Sequence, residues 1–68
     1  MPYVNFKLTP ENLTTEKKTT LIRAVTDLLQ RELNKNPETT VVTIDVVETD
    51  SWGIGGESVT VRRARADQ

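Results

Sequence analysis

The chain has 68 residues, with nine Lys plus Arg against ten Asp plus Glu, for a formal charge of −1. This even balance excludes a global field that attracts nucleic acid or an anionic membrane, and we expect neither as a partner. There is no cysteine and no histidine, which excludes disulfides, thiolate chemistry and a structural Cys/His zinc site. No apolar run approaches the ~20 residues of a transmembrane helix. The amino terminus lacks a signal-peptide pattern, so we expect a cytoplasmic protein.

The small size favours self-association. A chain of this length buries only about 60% of its unfolded surface when it folds alone. Domains this small usually depend on disulfides, a metal or a partner subunit for stability. Because composition removes disulfides and a Cys/His metal site, a partner subunit is the expected source of buried surface, with a marginal monomer as the alternative. The lack of histidine also means that proton transfer near neutral pH needs a shifted carboxylate, a shifted lysine or a terminal amine.

The first half of the chain predicts a strand followed by a long helix. Residues 3–8 alternate between apolar and polar side chains, as in a half-buried strand. Apolar residues then recur at spacings of three and four, which predicts an amphipathic helix over about 15–34. Thr14 or Thr15 is the expected amino-terminal cap, and Pro37 prevents continuation of the helix.

The second half predicts another strand and a hairpin. Residues 40–47 are β-branched almost throughout and predict a strand, so the chain forms a β-α-β unit with parallel strands. Three glycines within 53–56 exclude a helix there and favour a small hairpin or turn. The residues from Arg62 to Gln68 are expected to form a frayed polar tail. One helix on a two-stranded sheet leaves one face and both edges open, which again favours a homo-oligomer.

Two local signals carry candidate chemistry. Pro2 follows the initiator methionine, so removal of Met1 leaves a secondary amine at the start of the first strand. Burial beside cations lowers the pKa of an amine, which suits a base for proton transfer; a proline merely tolerated at a strand's first position is the alternative. The run Trp-Gly-Ile-Gly-Gly-Glu from Trp52 to Glu57 lacks the spacing of a phosphate-binding loop. A glycine hairpin with Trp52 packed in the core is the simpler interpretation.

Together these features resemble the 4-oxalocrotonate tautomerase family. The resemblance covers residues 2–63: a proline after the start methionine, a strand, an amphipathic helix, a β-branched strand and the aromatic-Gly-Ile-Gly-Gly-Glu run. It implies an α/β (α+β) fold with a single β-α-β unit and a C-terminal β-hairpin, as one domain over 2–63 with a polar tail at 64–68. It also implies dimers with a four-stranded sheet that assemble into a homohexamer, with dimers and trimers as alternatives. No cofactor and no metal are expected.

The resemblance also implies roles for particular residues. In this family the amino-terminal proline is a general base, so Pro2 would catalyse enol–keto proton transfer on small conjugated or 2-oxo acids. Trp52 would form a wall of the pocket and could direct its indole N–H toward a developing oxyanion. The two arginines that the best-known members use to bind substrate have no counterpart here. The matching positions hold Leu13 or Asn12, before the helix, and Val41, at the start of the second strand.

The remaining cations are the candidates to replace those arginines. They are Lys7, Lys35, Arg62, Arg63 and Arg65. We expect Lys7, Arg62 and Arg63 to bind substrate, since Lys7 lies on the polar face of the first strand and the two arginines follow the hairpin, within reach of a neighbouring subunit. Solvated surface charge is the alternative for each of them.

Two other functions remain open. A proline-dependent hydratase or dehalogenase of small unsaturated acids uses the ring nitrogen as an acid and needs a second, water-activating acid, for which the candidates are Glu48, Asp50 and Asp45. A non-catalytic, oligomeric binding module is the other alternative, and the missing arginines favour it.

Overall fold

The structure is a computed structural model that describes residues 2–66. The elements in chain order are β1 (Tyr3–Leu8), α1 (Thr15–Leu33), β2 (Val41–Val46), β3 (Gly53–Ile54), β4 (Glu57–Ser58) and α2 (Val59–Ala66). Short 3-10 turns at Pro37–Thr39 and Thr49–Ser51 flank β2. The predicted β-α-β unit with parallel strands and a hairpin toward the carboxyl end is confirmed. Across residues 2–66, neither helix is long and apolar enough to cross a bilayer.

The parallel pair of β1 and β2 leaves one edge of β1 open. Tyr3 lies opposite Val41, and Leu8 lies opposite Val46. The carbonyl oxygens of Pro2 and Leu8 accept hydrogen bonds from the N–H groups that face them on β2, at 3.0 and 2.8 Å. Backbone groups alternate in direction along a strand, so the even-numbered residues of β1 face β2. The odd-numbered residues 3, 5 and 7 therefore direct their N–H and C=O groups to the open edge.

The helix α1 begins and ends where local signals predict. The Thr14 side chain accepts a hydrogen bond from the Lys17 N–H at 3.1 Å, a cap that stabilises a helix by about 1 kcal/mol. At the other end Asn34 adopts the left-handed conformation with φ 53° and donates its N–H to the Gln30 carbonyl. Asparagine tolerates that conformation better than most residues, which is why the helix ends there.

The segment after the hairpin differs from the sequence-based expectation. It forms α2 rather than a frayed polar tail, and residues 67 and 68 of that tail lie outside the described residues. The Ser58 hydroxyl accepts a hydrogen bond from the Val61 N–H at 3.2 Å and so caps the first turn. Val59 anchors the same turn, with only 8% of its surface exposed. Two arginines near the carboxyl end complement the helix dipole.

A single copy of the chain leaves a large apolar surface exposed. Its accessible surface is 5245 Å², whereas a compact monomer of this mass exposes roughly 4,300 Å². Its radius of gyration is 15.6 Å, against about 11 Å for a compact domain of this length. Large apolar side chains such as Leu33 and Ile54 are 61% and 48% exposed. The physical basis for expecting self-association is therefore present in the folded chain.

Candidate active site

A groove with a volume of about 670 Å³ lies between the end of β1, the hairpin and α2. Trp52, Ile54 and Val59 supply much of its apolar lining. Four cations also line the groove: Lys7, Arg62, Arg63 and Arg65. An apolar surface beside several cations is suited to a small organic anion, because the body of such a ligand and its charged group find separate partners.

The hairpin shapes the apolar side of this groove. Gly55 and Gly56 have φ of 61° and 85°, which is typical of the two-residue turn that best matches the twist of a hairpin. The turn brings Ile54 back opposite Glu57. The Trp52 carbonyl accepts a hydrogen bond from the Val59 N–H at 2.8 Å, which connects the hairpin to the start of α2. Trp52 is half-buried and lines the groove, so it is not enclosed in a core.

The three arginines of the groove all have acidic neighbours. Arg65 Nη1 lies 2.7 Å from Glu57 Oε2, whereas Arg62 Nη1 lies 3.9 Å from Glu57 Oε1. Arg63 pairs with Glu11, which lies in the turn before α1. A hydrogen bond from the Thr9 side chain, then one from the backbone of Glu11 itself, and to a smaller extent the contact with Arg63, lower the pKa of the Glu11 carboxyl.

Lys7 belongs to a row of polar side chains on the sheet face opposite the half-buried one. Its Nζ donates to Asp45 Oδ2 at 2.8 Å, and Asn5 Nδ2 donates to the same oxygen at 3.1 Å. The hydrogen bond with Asp45 raises the pKa of Lys7. The bonds from Lys7 and then from Asn5 lower the pKa of Asp45. Both groups are therefore charged near neutral pH, and Lys7 borders the groove as a cation.

Pro2 lies at the opposite end of β1 from this groove. Six residue steps separate Pro2 from Leu8, and at ~3.3 Å per step the distance is about 20 Å. Pro2 is half-buried, and Val41 donates to its carbonyl oxygen at 3.0 Å. The residue of β2 that hydrogen-bonds to Pro2 is thus Val41, which has an apolar side chain and is not a cation. The four residues expected to bind substrate line one groove within a single chain: Lys7, Trp52, Arg62 and Arg63. The expected base, Pro2, lies away from that groove.

Comparison with known proteins identifies the family. Residues 2–62 match the family model described as "Tautomerase enzyme". The chain belongs to the 4-oxalocrotonate tautomerase family. A relative from Dickeya dadantii, described as a probable tautomerase, is 61% identical over 66 residues, which are 97% of this chain and 98% of the relative. A tautomerase-type, isomerase-like function follows from this membership.

Solved structures agree with this assignment. The crystal structure of DmpI from Helicobacter pylori matches with a TM-score of 0.82 and 48% identity, over 88% of this chain and 98% of that one. TomN, described as a 4-oxalocrotonate tautomerase homologue in the tomaymycin biosynthetic pathway, matches with a TM-score of 0.85 and 27% identity, over 93% and 95% of the two chains. The family resemblance inferred from the sequence is confirmed.

The three candidate acids of a hydratase lie apart from Pro2 in this tautomerase-family chain. Asp45 is held by Lys7, which is near the far end of β1. Asp50 accepts a hydrogen bond from the Thr60 hydroxyl. Glu48 is exposed at the start of the turn after β2. Residues 2–66 also contain no group of three or more acidic ligands positioned to hold a metal ion.

Sequence analysis did not assign Ile54 or Val59 to the site of this tautomerase-family chain, and it named Arg65 as a candidate cation without expecting it to bind substrate. All three line the groove. The sequence contained a signal for Val59 and Arg65, because they recur with Arg62 at a spacing of three, which puts all three on one side of a helix. The expectation of a frayed tail concealed that spacing.

Proposed function

We propose that this protein is an enol–keto tautomerase of small conjugated or 2-oxo acids in which Pro2, made amino-terminal by removal of Met1, is the general base. The observation that carries the proposal is that the family match begins at Pro2, the residue directly before β1, whose carbonyl oxygen accepts a hydrogen bond from β2. A ring amine fixed at the head of a strand has little freedom to lose when it meets a substrate, which favours efficient proton transfer. Met1 itself lies outside the described residues.

The proposed reaction moves one proton within the substrate. The Pro2 nitrogen accepts the proton of the enol hydroxyl, which leaves an enolate. The protonated amine then returns a proton to carbon as the C–O bond becomes a carbonyl and the C=C bond becomes single. The indole N–H of Trp52 is our candidate donor to the oxygen while it carries negative charge.

The separation of Pro2 from the groove implies that two copies complete one site. An antiparallel, twofold pairing across the open edge of β1 sets edge-facing, odd-numbered residues opposite one another, and it aligns the two strands when the numbers of paired residues sum to 10, so that residue 3 meets residue 7. In that register Pro2 of one copy lies beside the groove end of β1 in the other. The dimer then has a four-stranded sheet and two equivalent sites.

Three such dimers in a homohexamer are our proposal for the complete assembly. Support comes from apolar side chains outside the β1 edge that remain exposed in one copy, such as Leu33 on α1 and Val61 on α2. An edge-to-edge dimer does not cover these positions by sheet pairing alone. Contiguous exposed apolar surface favours further association.

The test is a substrate panel on Met1-free protein with Pro2→Ala alongside. We expect the mature protein to ketonise a monocarboxylic aryl enol, and Pro2→Ala to lower the rate by about 10²-fold or more. Arg31→Ala is the matched control, because Arg31 lies on α1, pairs only with its neighbour Glu32 among the described residues, and does not line the groove. Full activity in Pro2→Ala would rule out the proposed base.

A further inference from the structure

The ion pairs of the groove indicate what charge its ligand carries. Among the described residues, the cations that line it are Lys7, Arg62, Arg63 and Arg65. Asp45 neutralises Lys7, and Glu11 neutralises Arg63. Among the carboxylates that the structure describes, Glu57 is the one that lies within ion-pairing distance of both remaining arginines. Within residues 2–66, four cations therefore face three carboxylates, and one positive charge is left without its own partner.

The geometry around Glu57 identifies which arginine carries that unmatched charge. The 2.7 Å contact to Arg65 is the length of a strong charge-assisted hydrogen bond, whereas 3.9 Å to Arg62 is too long for one. Arg62 Nη1 also lies 3.7 Å from the position that a Cβ on Gly55 would take, so its guanidinium lies over the hairpin turn. Arg62 is thus held at the groove with hydrogen-bond donors that Glu57 does not use.

We propose that Arg62 binds a single substrate carboxylate and that the groove selects monoanionic 2-oxo acids with an apolar body over dicarboxylates. The apolar body would lie against Trp52, Ile54 and Val59, which line the same groove. A second carboxylate would find only cations that are already paired. This inference rests on the proposed function for the identity of the reaction, but the carboxylate contact itself requires no chemistry at Pro2.

Glu57 determines how many unmatched cations the groove offers to an anionic ligand. It lies in β4, directly after the hairpin turn, and its side chain is 36% exposed. Glu57→Gln keeps the size and the hydrogen-bonding ability of the side chain but removes one negative charge. Both Arg62 and Arg65 would then be unmatched, so a dianion would gain a second cation. The variant is a direct test of charge matching as the source of selectivity.

The experiment measures binding rather than turnover, by calorimetric titration of the mature, assembled protein. The probes are cinnamate, its neutral amide, and 4-carboxycinnamate as the matched dianion. We expect the wild type to bind cinnamate about tenfold more tightly than the amide. Arg62→Ala and the near-isosteric Arg62→Gln should both abolish that preference, whereas Glu57→Gln should raise the affinity for 4-carboxycinnamate at least severalfold. Arg31→Ala should leave all three affinities unchanged.

Two results would overturn the inference. One is an unchanged ratio of cinnamate to amide affinity in Arg62→Gln protein whose circular dichroism and assembly match the wild type. The other is a wild-type preference for the dianion. Pro2→Ala separates this inference from the proposed function, because its preference for cinnamate should persist even though its turnover is lost. If turnover survives Pro2→Ala, only the assignment of Pro2 as the base is wrong. If the ratio of cinnamate to amide affinity survives Arg62→Gln, only the assignment of Arg62 to the carboxylate is wrong.

Discussion

The backbone N–H of Val41 donates to the carbonyl oxygen of Pro2 across 3.0 Å, so β2 holds the residue directly before β1 through its carbonyl oxygen and not through its nitrogen. A change at the Pro2 nitrogen therefore leaves this hydrogen bond in place. The proposed catalytic atom and the structural atom of the same residue can be tested separately.

Retention of Met1 should abolish catalysis without unfolding the protein. An amide nitrogen is not basic, so a synthetic chain that keeps Met1 should lose about 10²-fold or more of the ketonisation rate. Because the Val41 hydrogen bond persists, its circular dichroism and thermal midpoint should match those of the Met1-free chain. Equal rates for the two chains would show that the nitrogen of Pro2 takes no part in the reaction.

The open edge of β1 predicts a matched pair of variants for the assembly. The Asn5 N–H points away from β2, toward the edge at which we expect the second copy to pair. Asn5→Pro removes that donor, whereas Asn5→Ala keeps it and removes only the side chain. Sedimentation should show smaller particles for Asn5→Pro than for Asn5→Ala, with α1 still visible by circular dichroism. An intact Asn5→Pro assembly would place the dimer contact elsewhere on the chain.

A shared site predicts complementation between two inactive variants. Pro2→Ala lacks the proposed base, and Trp52→Ala lacks a large part of the groove. In a mixed dimer one site receives both defects and the other receives neither. Random re-association of equal amounts should therefore restore about a quarter of wild-type activity, since half of the dimers are mixed and each has one intact site. Activity that stays at the level of the separate variants would mean that each chain supplies its own complete site.

The Lys7–Asp45 pair predicts a defined pH dependence of stability. Because the pKa of Asp45 is lowered in the folded state, the Asp45 charge stabilises the fold at pH values above the ordinary pKa of 3.8. This stabilisation is lost as pH falls through the pKa of the folded state. Because the pKa of Lys7 is raised in the folded state, the Lys7 charge stabilises the fold at pH values below the ordinary pKa of 10.5. This stabilisation is lost as pH rises through the pKa of the folded state. The contribution is therefore constant between these limits and small, because both side chains are more than half exposed.

Asp45→Asn measures that contribution. Urea unfolding at one fixed protein concentration should show a constant difference from the wild type between about pH 5 and pH 9, and a shrinking difference below pH 3.8. Added salt should reduce the difference, since exposed charges are screened. A difference that is the same at pH 2 and pH 7 would assign the effect of the substitution to packing or to the Asn5 hydrogen bond.

Local signals in the sequence were sufficient for the β-α-β unit. Alternation over residues 3–8 and β-branched residues over 40–47 predicted the two strands, because each pattern fits a pleated, half-buried surface. Thr14 and Asn34 marked the helix ends through interactions with backbone groups only a few residues away. The glycine pair at 55–56 likewise fixed the hairpin turn, because both positions have positive φ.

The tertiary structure decided what depends on residues far apart in the chain. The helix at Val59–Ala66 forms although three of its first residues are β-branched, because a side-chain cap and the burial of Val59 outweigh local propensity. The pairing of Arg63 with Glu11 joins residues 52 positions apart. The position of Pro2 relative to the groove follows from the length and direction of β1, which residue types alone do not give. Local patterns thus predicted the β-α-β unit and the hairpin, and the residues at Pro2 and Trp52–Glu57 carried the family resemblance, whereas long-range packing determined α2 and which charges the groove leaves unmatched.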